Sequence, residues 1–314
     1  MKLSSLTRVH AIRALLMSSI STTTTSPPSD PTAAAPPALE VGGGLAGWNL
    51  SALTALYVAA FRSAWRPRRL AILGLIFGGP PVLALAFRLL GVVNDSNEAS
   101  KAALSLIDNF YPNLIIPLAS LLFATGLIRD EVEDQTLTYL LVSPVARPAI
   151  YLMKLKAACH LTILLVVGFA ALSVALLTVG VPIGSEAPAI GLNGRLLKTM
   201  AMFALAIVAY STWFGLLGLV TRYATTIGVV QIILLENLLV GFDFLLRQAT
   251  IIYHVRALTM RWLEITPANW NMTLDTLPEA SFSLEVLLGV ILVSTAAAMI
   301  LVKTREFRVK TPEG

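Results

Sequence analysis

The chain has 314 residues, of which 56% are hydrophobic and only 13% charged, with a mean hydropathy of +0.77. Soluble domains carry about 25% charged residues, so this composition leaves little room for a soluble globular domain and points to a polytopic membrane protein. The net charge of +5 sits beside apolar segments, the pattern of membrane topology and not of a nucleic-acid surface.

Residues 1–47 differ from the rest. Ser18–Ser29 is a Ser/Thr/Pro tract, Pro31–Pro37 is Ala/Pro-rich and Val41–Gly47 is mostly glycine. Such a stretch buries too little apolar surface to offset its ordering entropy, which predicts a disordered tail. Its first 25 residues hold Lys2, Arg8 and Arg13 and no acid, so an organellar targeting segment, a floppy tail and a start codon placed too early all stay open.

From Asn49 to Arg66, Leu50, Leu53, Tyr57, Phe61 and Ala64 recur at helical spacing, with Asn49 as N-cap. Trp65 beside Arg62, Arg66, Arg68 and Arg69 predicts a helix lying in the membrane interface. Six apolar stretches follow, each near the ~20 residues a spanning helix needs: Leu70–Val93, Tyr111–Ile128, Ala157–Ile183, Thr199–Val220, Ala224–Leu246 and Phe282–Val302. The expected fold is all-α: six transmembrane helices over residues 48–310, an N-terminal interfacial helix, and a short tail at 311–314. Gln248–Ser281, between the last two stretches, mixes aromatic and apolar residues with Pro267 and Pro278, and predicts short helices in or partly dipping into the outer interface. Six crossings put both termini on one side. That side holds sixteen Lys and Arg, against six (Lys101, Arg195, Lys198, Arg247, Arg256, Arg261) on the other. The positive-inside rule therefore makes the termini cytoplasmic, with a bacterial inner membrane as the default setting.

Between the second and third stretches lies one charged, amphipathic insertion, Ile128–Lys156. Its acids Asp130, Glu131, Glu133 and Asp134 give way to Leu137, Tyr139, Leu140 and Leu141, on a helix continuing out of the second span. Ser143-Pro144 breaks that helix, and Arg147-Pro148 begins the next, with Pro148 at a tolerated first-turn position. Lys154 and Lys156 are expected at the headgroups.

This run of Arg129, Asp130, Glu131, Glu133, Thr136, Leu137, Leu140, Leu141, Ser143, Pro144, Arg147 and Lys154 resembles the first cytoplasmic loop of type-2 ABC transporter permeases. The interfacial helix and six-span count are similar too, although Gln135 and Thr138 stand where the family often has Gly and an acid. The resemblance implies a coupling element that docks on a separate ATP-binding subunit, with Glu131, Glu133, Leu137, Leu140, Pro144 and Arg147 as the coupling residues. It also implies a second permease chain, identical or related, and export driven by ATP bound on the partner subunit, with no cofactor on this chain. A non-transporting membrane scaffold using the same loop is the alternative, and a secondary transporter a third reading.

The sequence offers little chemistry of its own. No phosphate-binding loop is present: in Gly191–Thr199 the lysine falls four residues after Gly194 instead of next to it. No cluster of Cys or His suits a metal, the single Cys159 excludes an intramolecular disulfide, and the three histidines do not converge. An enzyme is therefore not expected. Among ionisable residues in the spans, Arg88 and Asp243 approach the outer interface, where snorkelling and pairing with Arg247 account for them. Glu236 lies 12 residues beyond Ala224, about 18 Å into the bilayer, with Asn237 adjacent. The two are candidates for a transport pathway or a subunit interface, or for polar glue within the bundle.

Overall fold

The computed structural model describes residues 50–64, 67–93, 95–127, 145–178, 194–234, 245–264, 270, 272, 275 and 277–304, and all regular structure among them is helical. In chain order these are α1 (Leu50–Ala64), α2 (Pro67–Leu89), α3 (Ser96–Ser105), a ten-residue π-helical segment (Leu106–Ile115), α4 (Ile116–Ala124), α5 (Arg147–Thr178), α6 (Gly194–Val220), α7 (Ala224–Gln231), a 3-10 turn (Leu245–Ala249), α8 (Ile251–Leu263) and α9 (Ala280–Thr304).

Four helices are long and apolar enough to cross a membrane: Lys101–Ala124, Arg147–Thr178, Leu197–Val220 and Ala280–Thr304. They correspond to the second, third, fourth and sixth expected spans. The first and fifth are represented by shorter apolar helices, Phe77–Leu89 and Ala224–Leu234. The expected six-span count thus has four full-length helices among the described residues, and Leu235–Phe244 of the fifth lies outside them.

The second span is displaced from its expected position. It begins ten residues earlier, at Lys101 instead of Tyr111, and ends at Ala124. The polar stretch Ser96–Ser105, expected as a connection, is helix α3 and runs directly into the π-helical segment. Proline explains the wide turns that follow. In an α-helix its ring meets the carbonyl four residues earlier and it lacks a donor. Here Pro112 and Pro117 are five residues apart, and the Ile116 amide reaches back five residues to the Tyr111 carbonyl, so the π spacing accommodates both rings.

Contacts fix two ends of the bundle. At the first end, the Lys154 ammonium of α5 donates to the carbonyl of Leu127, just past α4, at 2.9 Å. Tyr151 and Leu155 of α5 pack with Leu219 of α6 and with Ala298 and Val302 of α9. At the second end, Leu177 of α5 packs with Ala99 and Ala103 of α3, and Arg88 donates to the Leu176 carbonyl at 2.9 Å. The main core between the ends is built on Tyr111, Ile115, Ile116, Leu161, Val166, Ile207, Tyr210, Phe214 and Leu258. Cys159 is buried in the packing, as a structural thiol would be. α1 lies along α5, with Leu53 buried and the Tyr57 hydroxyl 2.9 Å from His160 Nδ1.

The described acids all belong to the second end and its connections: Asp95, Glu98, Asp108, Glu264, Asp275, Glu279 and Glu285. The first end holds Arg147, Lys154, Lys156, Arg222 and Lys303 with no described acid among them.

Candidate functional site

The insertion singled out in the sequence emerges between α4 and α5. Glu131, Glu133, Leu137, Leu140 and Pro144 lie outside the described residues, as do Glu236 and Asn237. Arg147 is described: it is exposed and is the first residue of α5, where the Arg-Pro pair predicted the helix start.

The supports on either side of the insertion are well defined. Lys154 is buried, and its bond to Leu127 ties the second turn of α5 to the residue at which the chain leaves α4. A carbonyl at a helix end lacks an intrahelical donor, so the ammonium supplies a charge-assisted one.

α4 is in turn held against α6 at backbone distance and against α7 through the Leu121 side chain. A Cβ built on Gly218 would lie 2.5 Å from the Thr125 carbonyl oxygen and 3.0 Å from its Cα, and one built on Gly228 would collide with the Leu121 side chain. One turn before Gly218, Gly215 receives Tyr151, whose hydroxyl would be 2.7 Å from an added Cβ. That hydroxyl is buried without a hydrogen-bond partner. The Thr125 hydroxyl donates to the Leu121 carbonyl at 2.8 Å and lies 3.4 Å from that of Thr225. Small residues that let backbones touch are how membrane helices associate without a hydrophobic driving force. The Gly215/Gly218 spacing is visible in the sequence, but its partner Thr125, ninety residues away, is not.

The second end carries a polar site that sequence reasoning missed. Helix α8 is only 13 residues long, yet Ile251 to Met260 are all buried. Thr250 caps it, its hydroxyl accepting from the Tyr253 amide, as N-cap chemistry requires. Arg256 donates from Nε and Nη2 to Asn113 Oδ1 at 3.1 and 2.7 Å, and its guanidinium lies 5.4 Å from the centre of the Trp270 ring. Trp270 Nε1 donates to Asn109 Oδ1 at 2.6 Å. Asn109 and Asn113 are four residues apart, close to one turn of a π-helix, so the widened helix presents both amides to one neighbour. Arg261 donates to the Leu277 and Pro278 carbonyls, each at 2.8 Å, fastening α8 to the chain that enters α9. His254 Nε2 donates to the Gln248 carbonyl at 2.8 Å; burial holds its pKa below the ordinary histidine value and favours the neutral ring. α8 is a short helix of the kind expected within Gln248–Ser281.

Four helices long and apolar enough to cross a membrane mark an integral membrane protein. The model of the ABC-2 family of transporter proteins matches residues 65–237. That is more than half of the chain and includes the whole insertion, and the chain belongs to this family. It is a permease subunit of the type-2 ABC kind, a membrane component of a transporter that in general partners an ATP-binding subunit. No curated protein gives a significant match to the chain.

Proposed function

We propose that this chain is the permease of an ATP-driven exporter, and that residues 129–156 couple it to a separate ATP-binding subunit. Glu131, Glu133, Leu137, Leu140, Pro144 and Arg147 make that contact, with charged residues at its rim and leucines at its centre. ATP binds on the partner, and this chain contributes no cofactor site or catalytic group. Two permease chains, identical or related, pair in a bacterial inner membrane with their termini and insertions in the cytoplasm. Glu236 and Asn237 then lie on the transport pathway or at the permease interface.

The observation that carries this reading is the anchoring of the insertion at both ends. Leu127 and Lys154 are joined directly, and α4 touches α6 through backbone at Gly218. A force applied to residues between 128 and 144 therefore acts on a stiff base that reaches α4, α5 and α6 together. A loosely tethered loop would absorb such a force before it reached the spanning helices. The basic residues described at this end, Arg147, Lys154, Lys156, Arg222 and Lys303, support the positive-inside orientation.

The test is affinity purification of the intact chain from its own membranes in mild detergent, beside a Leu137→Asp/Arg147→Glu variant. Wild type is expected to retain an ATP-binding subunit identified by mass spectrometry, and the variant to lose at least tenfold of it while melting at the same temperature. Failure of folded wild type to retain any ATP-binding protein after crosslinking would overturn the proposal in favour of a membrane scaffold.

A further inference from the structure

The turn between α6 and α7 stands beside the exit of the insertion. α4 and α6 both run toward the first end of the bundle, and they meet where a Cβ on Gly218 would lie 3.0 Å from the Thr125 Cα. Leu127 and Val220 are each two residues further on, about 3–7 Å of chain. The last residue of α6 thus ends alongside the residue at which the insertion leaves. The first turn of α7 returns to the same place, with the Thr225 hydroxyl 3.4 Å from that of Thr125.

Residues 221–223 make the turn, and their neighbours hold it in place. Leu219 and Ala224 on either side are buried. The Thr221 hydroxyl accepts from the Tyr223 amide at 3.2 Å, and the Arg222 guanidinium lies 4.7 Å from the centre of the Tyr223 ring. Between these anchors the turn presents apolar surface: Val220 is 58% exposed and Tyr223 56%. A tyrosine fixed in this way offers a large contact area at small entropic cost, and tyrosine is among the side chains that carry most binding energy at protein interfaces. A stable interface buries about 800 Å² on each partner, a disc of about 16 Å radius. A footprint of that size laid over the root of the insertion takes in Val220 and Tyr223.

We infer that the α6–α7 turn is a second docking point for the ATP-binding subunit, with Tyr223 as its anchor and Val220 as its apolar neighbour. The partner takes the Tyr223 ring into an apolar pocket and leaves the hydroxyl at a polar rim. This contact presupposes the coupling proposed for residues 129–156 and adds a direct point of attachment on α6 and α7. Movement of the partner then reaches four helices through two contacts, at the insertion and at the turn.

The contact is tested by placing p-benzoylphenylalanine singly at Tyr223, Arg147 or Leu292 in the full chain and irradiating it in its own membranes. Leu292, 69% exposed within α9, is the control. The probes at Tyr223 and Arg147 should form adducts with the same protein, identified by mass spectrometry through its nucleotide-binding sequence, and the probe at Leu292 should form none with it. Capture at Arg147 without capture at Tyr223, or equal capture at Leu292, would overturn the second contact and leave the coupling proposal standing. Capture at neither Tyr223 nor Arg147 would overturn both. Tyr223→Ala should also lower the ATP-binding subunit retained on purification about tenfold, the loss of one interface anchor. Ile233→Ala, 59% exposed further along the apolar helix Ala224–Leu234, should leave retention unchanged, and both variants should melt with wild type. Wild-type retention in Tyr223→Ala would refute the anchor.

Discussion

Gly218→Ala probes the contact on which the frame of the insertion rests. The added methyl carbon would stand 2.5 Å from the Thr125 carbonyl oxygen, where ordinary contact begins at 3.4 Å. The deficit is 3.4 − 2.5, or 0.9 Å. The obstructing atoms are backbone, so no rotamer change relieves them, and α4 and α6 must separate. Overpacking of this kind costs about 1–3 kcal/mol, while replacing a mid-helix glycine by alanine gains about 0.5–1 kcal/mol. A net loss of about 1 kcal/mol, and at most about 2.5 kcal/mol, is expected. Gly289→Ala in α9 is the matched control, because nothing lies within 4 Å of its added Cβ, and only the helix-propensity gain should appear. Unfolding of both variants in mixed micelles titrated with sodium dodecyl sulfate reads the difference. The two variants should shift in opposite directions, and Gly218→Ala should also retain less ATP-binding subunit on purification. A Gly218→Ala protein as stable as Gly289→Ala would refute the backbone contact and the stiff base built on it.

Two further experiments address the two ends. Lys154→Met keeps the length and apolar stem of the side chain but removes the donor to Leu127, a charge-assisted bond worth about 1.5–3 kcal/mol. It should cost that much in the same unfolding titration and expose the insertion to limited proteolysis; unchanged cleavage would show that Lys154 does not hold its base. At the second end, Asn113→Ala and Arg256→Ala remove the two sides of one part-buried interaction. A double-mutant cycle should give a coupling of about 1.5–3 kcal/mol, and coupling near zero would show that the Arg256–Asn113 pair does not help to hold α8.

What the sequence made legible was whatever repeats over a few residues. Period and apolar length located α5, α6 and α9, and the Arg147-Pro148 pair marked a helix start to the residue. The second span was misplaced at its beginning because Ser96–Ser105 is polar enough to read as a connection. A helix that carries its apolar residues on one face, packed under Leu177, has no hydropathy signal of its own. The backbone register change at Leu106–Ile115 was hidden for a different reason. Pro112 and Pro117 announce trouble for an α-helix, but neither tells whether the helix breaks, kinks or widens.

The long-range polar contacts were illegible in principle. Arg256 and Asn113 are separated by 143 positions, and an arginine in an outer connection reads as a topology signal and nothing more. Burial changes its meaning: a guanidinium removed from water needs acceptors, and the π-helical segment supplies the Asn113 amide to Arg256 and the Asn109 amide to Trp270 beside it. The same helix, from Lys101 to Ala124, opens at its other end into the insertion. It therefore joins the charged element that the sequence picked out to the polar cluster that it concealed. The stiff contact at Gly218 lies on one side of that helix's path, and the amides of Asn109 and Asn113 lie at the other. A helix fixed by backbone contact near one end and by hydrogen bonds near the other moves as a body or not at all, and this is the physical reason that substitutions at either end are expected to be felt in both.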